Sequence, residues 1–240
     1  MSGKSILYSK RYPINDHIHI EIPTVGEVFE REDEYYGLIS LIAATPKDMM
    51  VQLDDIGIDF MKINDFELFL LSFGLLKSQD TSMIFGELDL LRLEMAVNQE
   101  NNTMVLMDKE RGVIIDRAIH HNICEAIRKI HRIKRDVRKP ANDEAKKFMI
   151  KRAKEKIMQR SKRGYTGGSH LEELIIALVN TEQFSYNLKE VLNLTIYQFS
   201  ESVHQIIKKI DFDNKMYGIY AGTVNAKDLP QQDLNWLTSK

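Results

Sequence analysis

The feature that most constrains this 240-residue chain is the sorting of its charges. Residues 1–110 carry 9 Lys+Arg against 20 Asp+Glu, net −11. Residues 111–168 carry 18 against 6, net +12, and residues 169–240 carry 6 against 9, net −3. The formal total of −2 hides this pattern. A segment as basic as the middle one cannot be buried all round, because an unpaired charge loses its hydration there. At least one of its faces meets solvent, an acidic surface or a polyanion. The partition suggests three regions: an acidic α+β region at 1–115, a basic helical arm at 116–168, and a C-terminal helical region with a short tail at 169–240. One integrated body could hold all three.

With 43% apolar residues the chain can bury a substantial core. Collagen-like, disulfide-scaffold and disordered classes are excluded. Cys124 is the single cysteine, so there is no intrachain disulfide, which fits a reducing compartment. The greasiest run, Leu68 to Leu76, is far shorter than the roughly 18–20 residues of a membrane span. The N-terminus lacks a long apolar core and a small-residue cleavage site, so no signal peptide and no membrane partner are expected.

Period-2 alternation predicts a strand over His17–Ile22, paired with Ile6–Tyr12 through the turn-like Pro13-Ile14-Asn15-Asp16. Thr24-Val25-Gly26-Glu27 has capping-box spacing and predicts a helix to about Ala44. Thr45-Pro46 predicts the next helix, to about Gly57. Asn64-Asp65-Phe66-Glu67 opens a helix that is apolar almost all round. Strands follow at Leu91–Asn98, Thr103–Met107 and Val113–Asp116. Asp116 caps a helix expected to reach about Val137, and a second basic helix is expected from Asp143 to Arg163. Gly164-Tyr165-Thr166-Gly167-Gly168 reads as a linker. Beyond it lie a helix capped by Ser169, a short one at Asn187–Leu194, one capped by Thr195, and a last one at Asp213–Ala221 ended by Gly222. The class is α+β, mostly α-helical, with a small antiparallel sheet in the N-terminal half and a helical C-terminal half.

No catalytic constellation stands out, and no cofactor or metal is expected. His120, Cys124 and His131 share helical spacing and could ligate zinc, but a fourth ligand is missing and packing at the core edge explains them better. His17 and His19 project from one strand face, a chelating geometry more simply read as a half-exposed strand. Asp54, Asp55 and Asp59 lack the spacing of a calcium loop. The Gly164–Ser169 stretch matches neither phosphate-binding glycine pattern. An enzyme is therefore not expected.

The second basic helix presents Lys146, Lys147, Lys151, Arg152, Lys154, Lys156, Arg160, Lys162 and Arg163 around a thin stripe of Ala145, Met149, Ala153 and Ile157. Such a helix could follow a phosphate backbone. Yet Phe148 and Tyr165 are its only nearby aromatics, and no nucleic-acid-binding signature accompanies it, so nucleic acid is the lesser alternative. The arm could instead lie against the acidic third of its own chain or of a neighbour, making a homo-oligomer possible.

Ile22-Pro23-Thr24-Val25-Gly26-Glu27-Val28, Thr45-Pro46-Lys47-Asp48 and Asp54-Asp55-Ile56-Gly57-Ile58-Asp59-Phe60 stand in the first half. Near the end come Leu194-Thr195-Ile196-Tyr197-Gln198-Phe199, Gly218-Ile219-Tyr220-Ala221-Gly222-Thr223 and Asp233-Leu234-Asn235-Trp236-Leu237. Together these resemble a tail assembly chaperone-like family of long-tailed bacteriophages of Gram-positive hosts, over nearly the whole chain. The resemblance implies a non-catalytic assembly factor in the cytoplasm of the infected host, binding the tape-measure protein and tail tube subunits. Phe199, Val203, Ile206, Tyr217, Tyr220 and Trp236 are the partner-binding candidates, although docking onto their own domain is the plainer reading of them. The 11 methionines suit adaptable contacts.

Overall fold

The computed structural model describes residues 6–99, 102–163 and 169–237. Within them the chain is mostly helical, with small antiparallel sheets confined to the N-terminal half. Strands β1 (Arg11–Pro13) and β2 (His19–Glu21) form a hairpin with Tyr12 opposite Ile20. Its turn is organised by Asn15, whose side-chain oxygen accepts the amides of His17 and Ile18 at 2.9 and 2.8 Å. Ile18, Ile20 and Ile22 are buried, as the alternation requires. The first strand is shorter than expected because β2 offers only three rungs. Residues before it turn instead, and Ile6 drops into the core.

The long helix expected from Thr24 to Ala44 is two helices, α1 (Val25–Glu30) and α2 (Glu32–Ile42). Arg31 leaves helical geometry between them (φ −137°, ψ 40°). Glu32, Asp33 and Glu34 favour a fresh N-terminus there, where the backbone dipoles attract negative charge. After Thr45, residues 46–49 turn before α3 (Met50–Asp55) begins, although Thr45 and Asp48 do exchange hydrogen bonds. Helix α4 (Asp65–Lys77) starts where expected, at an Asn64–Glu67 capping box, and buries Phe66, Phe69, Phe73 and Leu76. Its remaining apolar face is bare: Leu71 and Leu75 are exposed. The short α5 (Ser82–Phe85) was not evident from the sequence; it pushes Ile84 and Phe85 into the core and ends at Gly86 with φ +59°.

Strands β3 (Glu94–Asn98), β4 (Thr103–Asp108) and β5 (Val113–Ile115) form a meander in that order. Helix α6 (Arg117–His131) starts at Asp116, whose carboxylate accepts the Ile119 amide at 2.8 Å, and buries Ile123, Ile127 and Ile130. It stops six residues earlier than expected, at a left-handed Arg132 (φ 56°). Ile133 is exposed, so no apolar face rewards another turn, while Arg135 and Asp136 are drawn to Asp65 and Lys47 at 2.7 and 2.8 Å. Helix α7 (Asp143–Arg163) keeps its expected bounds.

Beyond it lie α8 (His170–Val179), α9 (Leu188–Val191) and α10 (Ile196–Tyr220). The break expected before Asp213 does not occur, because Lys209–Asp213 and Lys215–Asp211 pairs at i,i+4 spacing bridge it. The helix ends, as expected, before Gly222 at φ +72°. A single buried apolar cluster joins Val25, Tyr35, Phe69, Leu106 and Ile127 to Leu171, Val191 and Phe199, so the acidic and C-terminal regions share one core.

The capping boxes of α1 and α10 sit face to face. Thr24 and Thr195 form an antiparallel bridge. Val25 and Gly26 donate to the carbonyls of Leu194 and Leu192 at 2.8 and 2.9 Å, and Ile196 donates to Pro23 at 2.8 Å. A Cβ on Gly26 would stand 3.2 Å from the Leu192 oxygen, so this close approach favours glycine. Thr195→Ala is expected to destabilise the protein by about 1 kcal/mol, the usual worth of an N-cap. Gly86→Ala is expected to cost more, since its Cβ would lie 2.5 Å from the Glu21 carboxylate in a left-handed conformation. Urea denaturation of the two variants checks both.

Candidate partner-binding surface

An open groove of about 1160 Å³ lies among α4 and the segment before it, β4, the start of α6 and the segment after α6. Its apolar lining comes from Phe60 and Ile63 before α4, from Phe66 and Leu70 on α4, and from Met104 on β4. Met61 and Met104, both exposed, stand at its rim beside the start of α6. A strap, residues 132–142, runs from α6 to α7 and contributes Arg135, Asp136, Val137, Arg138 and Lys139 to the groove. The strap is pinned twice: Arg135 pairs with Asp65 at 2.7 Å, and Lys47 reaches both Asp136 and the Arg138 carbonyl at 2.8 Å. Hydrogen bonds from Arg138 and then Lys47 hold the Asp136 carboxyl well below the usual carboxylate range. Val137, Arg138 and Lys139 are exposed along the strap, giving the groove an apolar floor and, on the strap side, an edge richer in cations than in carboxylates. None of this was visible in the sequence, because residues some 40 to 90 positions apart build it.

Beneath the groove, His120 and Cys124 touch, with Nε2 3.4 Å from Sγ. His131 does not join them; its Nε2 lies 3.0 Å from the Tyr35 hydroxyl. Burial pushes the Cys124 thiol up to about 12, so it stays protonated at neutral pH. Burial also lowers His120 and His131 to about 4. Among the described residues, no group of three His, Cys, Asp or Glu could hold a metal ion. His19 meets Glu21 at 3.1 Å and His17 points to solvent, so they form no shared site.

The acidic cluster and the basic helix meet. Lys146 reaches Asp59 at 3.0 Å, and Lys154 reaches Asp54 and Asp55 at 2.7 and 2.8 Å. Between them Ile150 packs onto a small second cluster of Ala44, Leu53, Phe60 and Leu68. Only the first half of α7 docks this way; residues 155–159, 161 and 162 are exposed. Lys147, Lys151, Arg152, Lys156 and Lys162 face solvent. The side chains of Arg160 and Arg163 and the Gly164–Gly168 linker lie outside the described residues.

The C-terminal candidates separate. Phe199 and Ile206 are buried in the core and Val203 packs at its edge. Tyr217 and Tyr220 are exposed, and Trp236 is half-buried under the Lys209 ammonium, 5.6 Å from the ring centroid. Among the described residues, no helix is long and apolar enough to cross a membrane.

Residues 160–239, from the end of α7 through the tail, match a family described as the YomV second domain. YomV is a Bacillus phage-encoded protein. The match is consistent with a phage protein family. No curated protein and no solved structure matches the chain.

Two outcomes follow from these contacts. The lowered histidines bind fewer protons folded than unfolded, so their contribution to stability is complete above about pH 6.5 and is lost as pH falls towards 4. Urea midpoints measured across that window should fall, and His131→Gln should flatten the slope. Because the ion pairs of α7 are solvent-accessible, salt should loosen its first half: hydrogen exchange at residues 145–154 should quicken between about 0.05 and 1 M NaCl, and Ile150→Ala should reproduce this at low salt.

Proposed function

We propose that this chain is a non-catalytic bacteriophage tail-assembly chaperone or morphogenesis factor that binds the tape-measure protein and tail subunits in the host cytoplasm. The observation that carries the reading is the open apolar groove with methionines at its rim and a cationic strap along one edge. A chaperone for a long apolar helix needs such a surface: apolar area for anchor residues at i, i+3 and i+4, and thioethers that repack around varied ones. The sequence resemblance and the phage-family match of the C-terminal third add support.

Co-expression with the tape-measure protein, the product of a very long neighbouring open reading frame, tests this. The two should co-purify, and Leu70→Asp with Met104→Asp should abolish capture while leaving circular dichroism unchanged. Failure of the wild-type chain to retain the tape-measure protein would overturn the reading. A second reading, a nucleic-acid-binding accessory protein, draws on the outward face of α7, where Lys147, Lys151, Arg152 and Lys156 meet no acidic partner among the described residues. It requires DNA or RNA binding that weakens linearly in log–log salt plots.

A further inference from the structure

We propose that the groove selects its partner by charge: it takes an amphipathic helix of another protein whose apolar stripe is flanked by carboxylates. The inference rests on the groove being the partner site, and it adds the sign of charge that the partner helix must carry.

The ionic groups at the groove do not balance. Five cations line it, Lys47, Arg117, Arg135, Arg138 and Lys139, against four carboxylates, Asp65, Glu67, Asp116 and Asp136. Every one of those carboxylates is engaged within the chain. Asp65 holds Arg135 at 2.7 Å, and Asp136 holds Lys47 and Arg138 at 2.8 and 2.7 Å. Glu67 accepts the Asn64 amide at 2.7 Å and Asp116 the Ile119 amide at 2.8 Å, each closing a helix start. Arg117 and Lys139 are left over: both are exposed, and among the described residues neither meets a carboxylate. Arg117 also stands on the first turn of α6, where the backbone dipoles repel a cation, so the helix itself does not favour it there.

Two uncommitted cations beside an apolar floor decide what fits. A helix seated with its apolar stripe on Leu70 and Met104 presents its flanking side chains to the groove edge, where carboxylates meet Arg117 and Lys139. A helix flanked by lysines meets like charge there, and no carboxylate of the groove is free to answer it. A nucleic acid fits less well. Its phosphates gain nothing from the floor, and the phenyl rings of Phe60 and Phe66 are buried, so no base can stack on them. Both cations are open to solvent, so they steer and discriminate more than they hold, and salt screens them.

The test uses the full chain and two fluorescent helical peptides of about 20 residues with the same leucines at i, i+3, i+4 and i+7, flanked in one by glutamates and in the other by lysines. At about 50 mM NaCl the glutamate peptide should bind at least about ten-fold more tightly by anisotropy, and the preference should shrink to about two-fold or less at about 1 M. Arg117→Glu with Lys139→Glu should reverse the preference with circular dichroism unchanged, since both side chains are exposed. Lys189→Glu with Lys227→Glu, an equal change of charge at exposed sites outside the groove, should leave it as it was. Equal binding of the two peptides, binding of neither, tighter binding of the lysine peptide, or a preference that follows the outside reversal instead of the groove reversal would each overturn the proposal. So would a DNA duplex that binds more tightly than the glutamate peptide and is lost on the groove reversal. A chain that captures the tape-measure protein without preferring the glutamate peptide refutes this inference alone. One that prefers the glutamate peptide without capturing the tape-measure protein refutes only the chaperone reading.

Discussion

The fold hangs on the place where two helix N-termini meet. A helix start leaves four amides without partners inside the helix, and an interior start must find them elsewhere. Here α1 and α10 solve the problem for each other. Each uses a threonine capping box for its later amides, and the residues just before each helix supply carbonyls to the other's first amides. The contact joins residues about 170 positions apart and sets how the C-terminal helices sit on the acidic region. A second tie works in the same way: the Glu32 carboxylate accepts both the Ser169 hydroxyl and the Leu171 amide at the start of α8. The apolar cluster then fills the space that these hydrogen bonds define.

The sorted charges take on a different meaning once the chain is folded. Half of α7 lies along the carboxylates of Asp54, Asp55 and Asp59, and the strap before it is pinned by Lys47 and Asp65. These pairs are half-buried or exposed, within reach of solvent, where an ion pair contributes modestly. They decide where the basic segment lies more than how stable the body is. The apolar part of the docking is one isoleucine, which explains why α7 leaves the body soon after Lys154.

Local signals in the sequence carried the fold a long way. Capping boxes at Thr24, Asn64, Asn187 and Thr195, alternating isoleucines around Ile20, and the Asp116 cap mark real element starts, because each depends on residues within four positions. The errors came where distant groups intervened. Arg31 breaks a helix beside Asp80, which it meets at 2.9 Å, and Arg135 and Asp136 pull the chain away from α6. The candidate surface was less legible still. Helical spacing marked Phe199 and Ile206 as apolar and partner-seeking, but spacing cannot say whether the partner is another segment of the same chain, and for these two it is. The groove was invisible because its lining comes from separate loops, a helix and a strand.

The interlock of Pro23–Gly26 with Leu192–Ile196 also bears on modularity. The segment from 160 to 239 that matches a separate family contains only one side of it. As a cassette it is incomplete: Leu192 and Leu194 offer carbonyls to the first amides of α1, and Ile196 offers an amide to the Pro23 carbonyl just before it, none of which the cassette encodes. Shuffling this region onto another chain preserves its architecture only when the new host brings a helix start of its own to the same three groups.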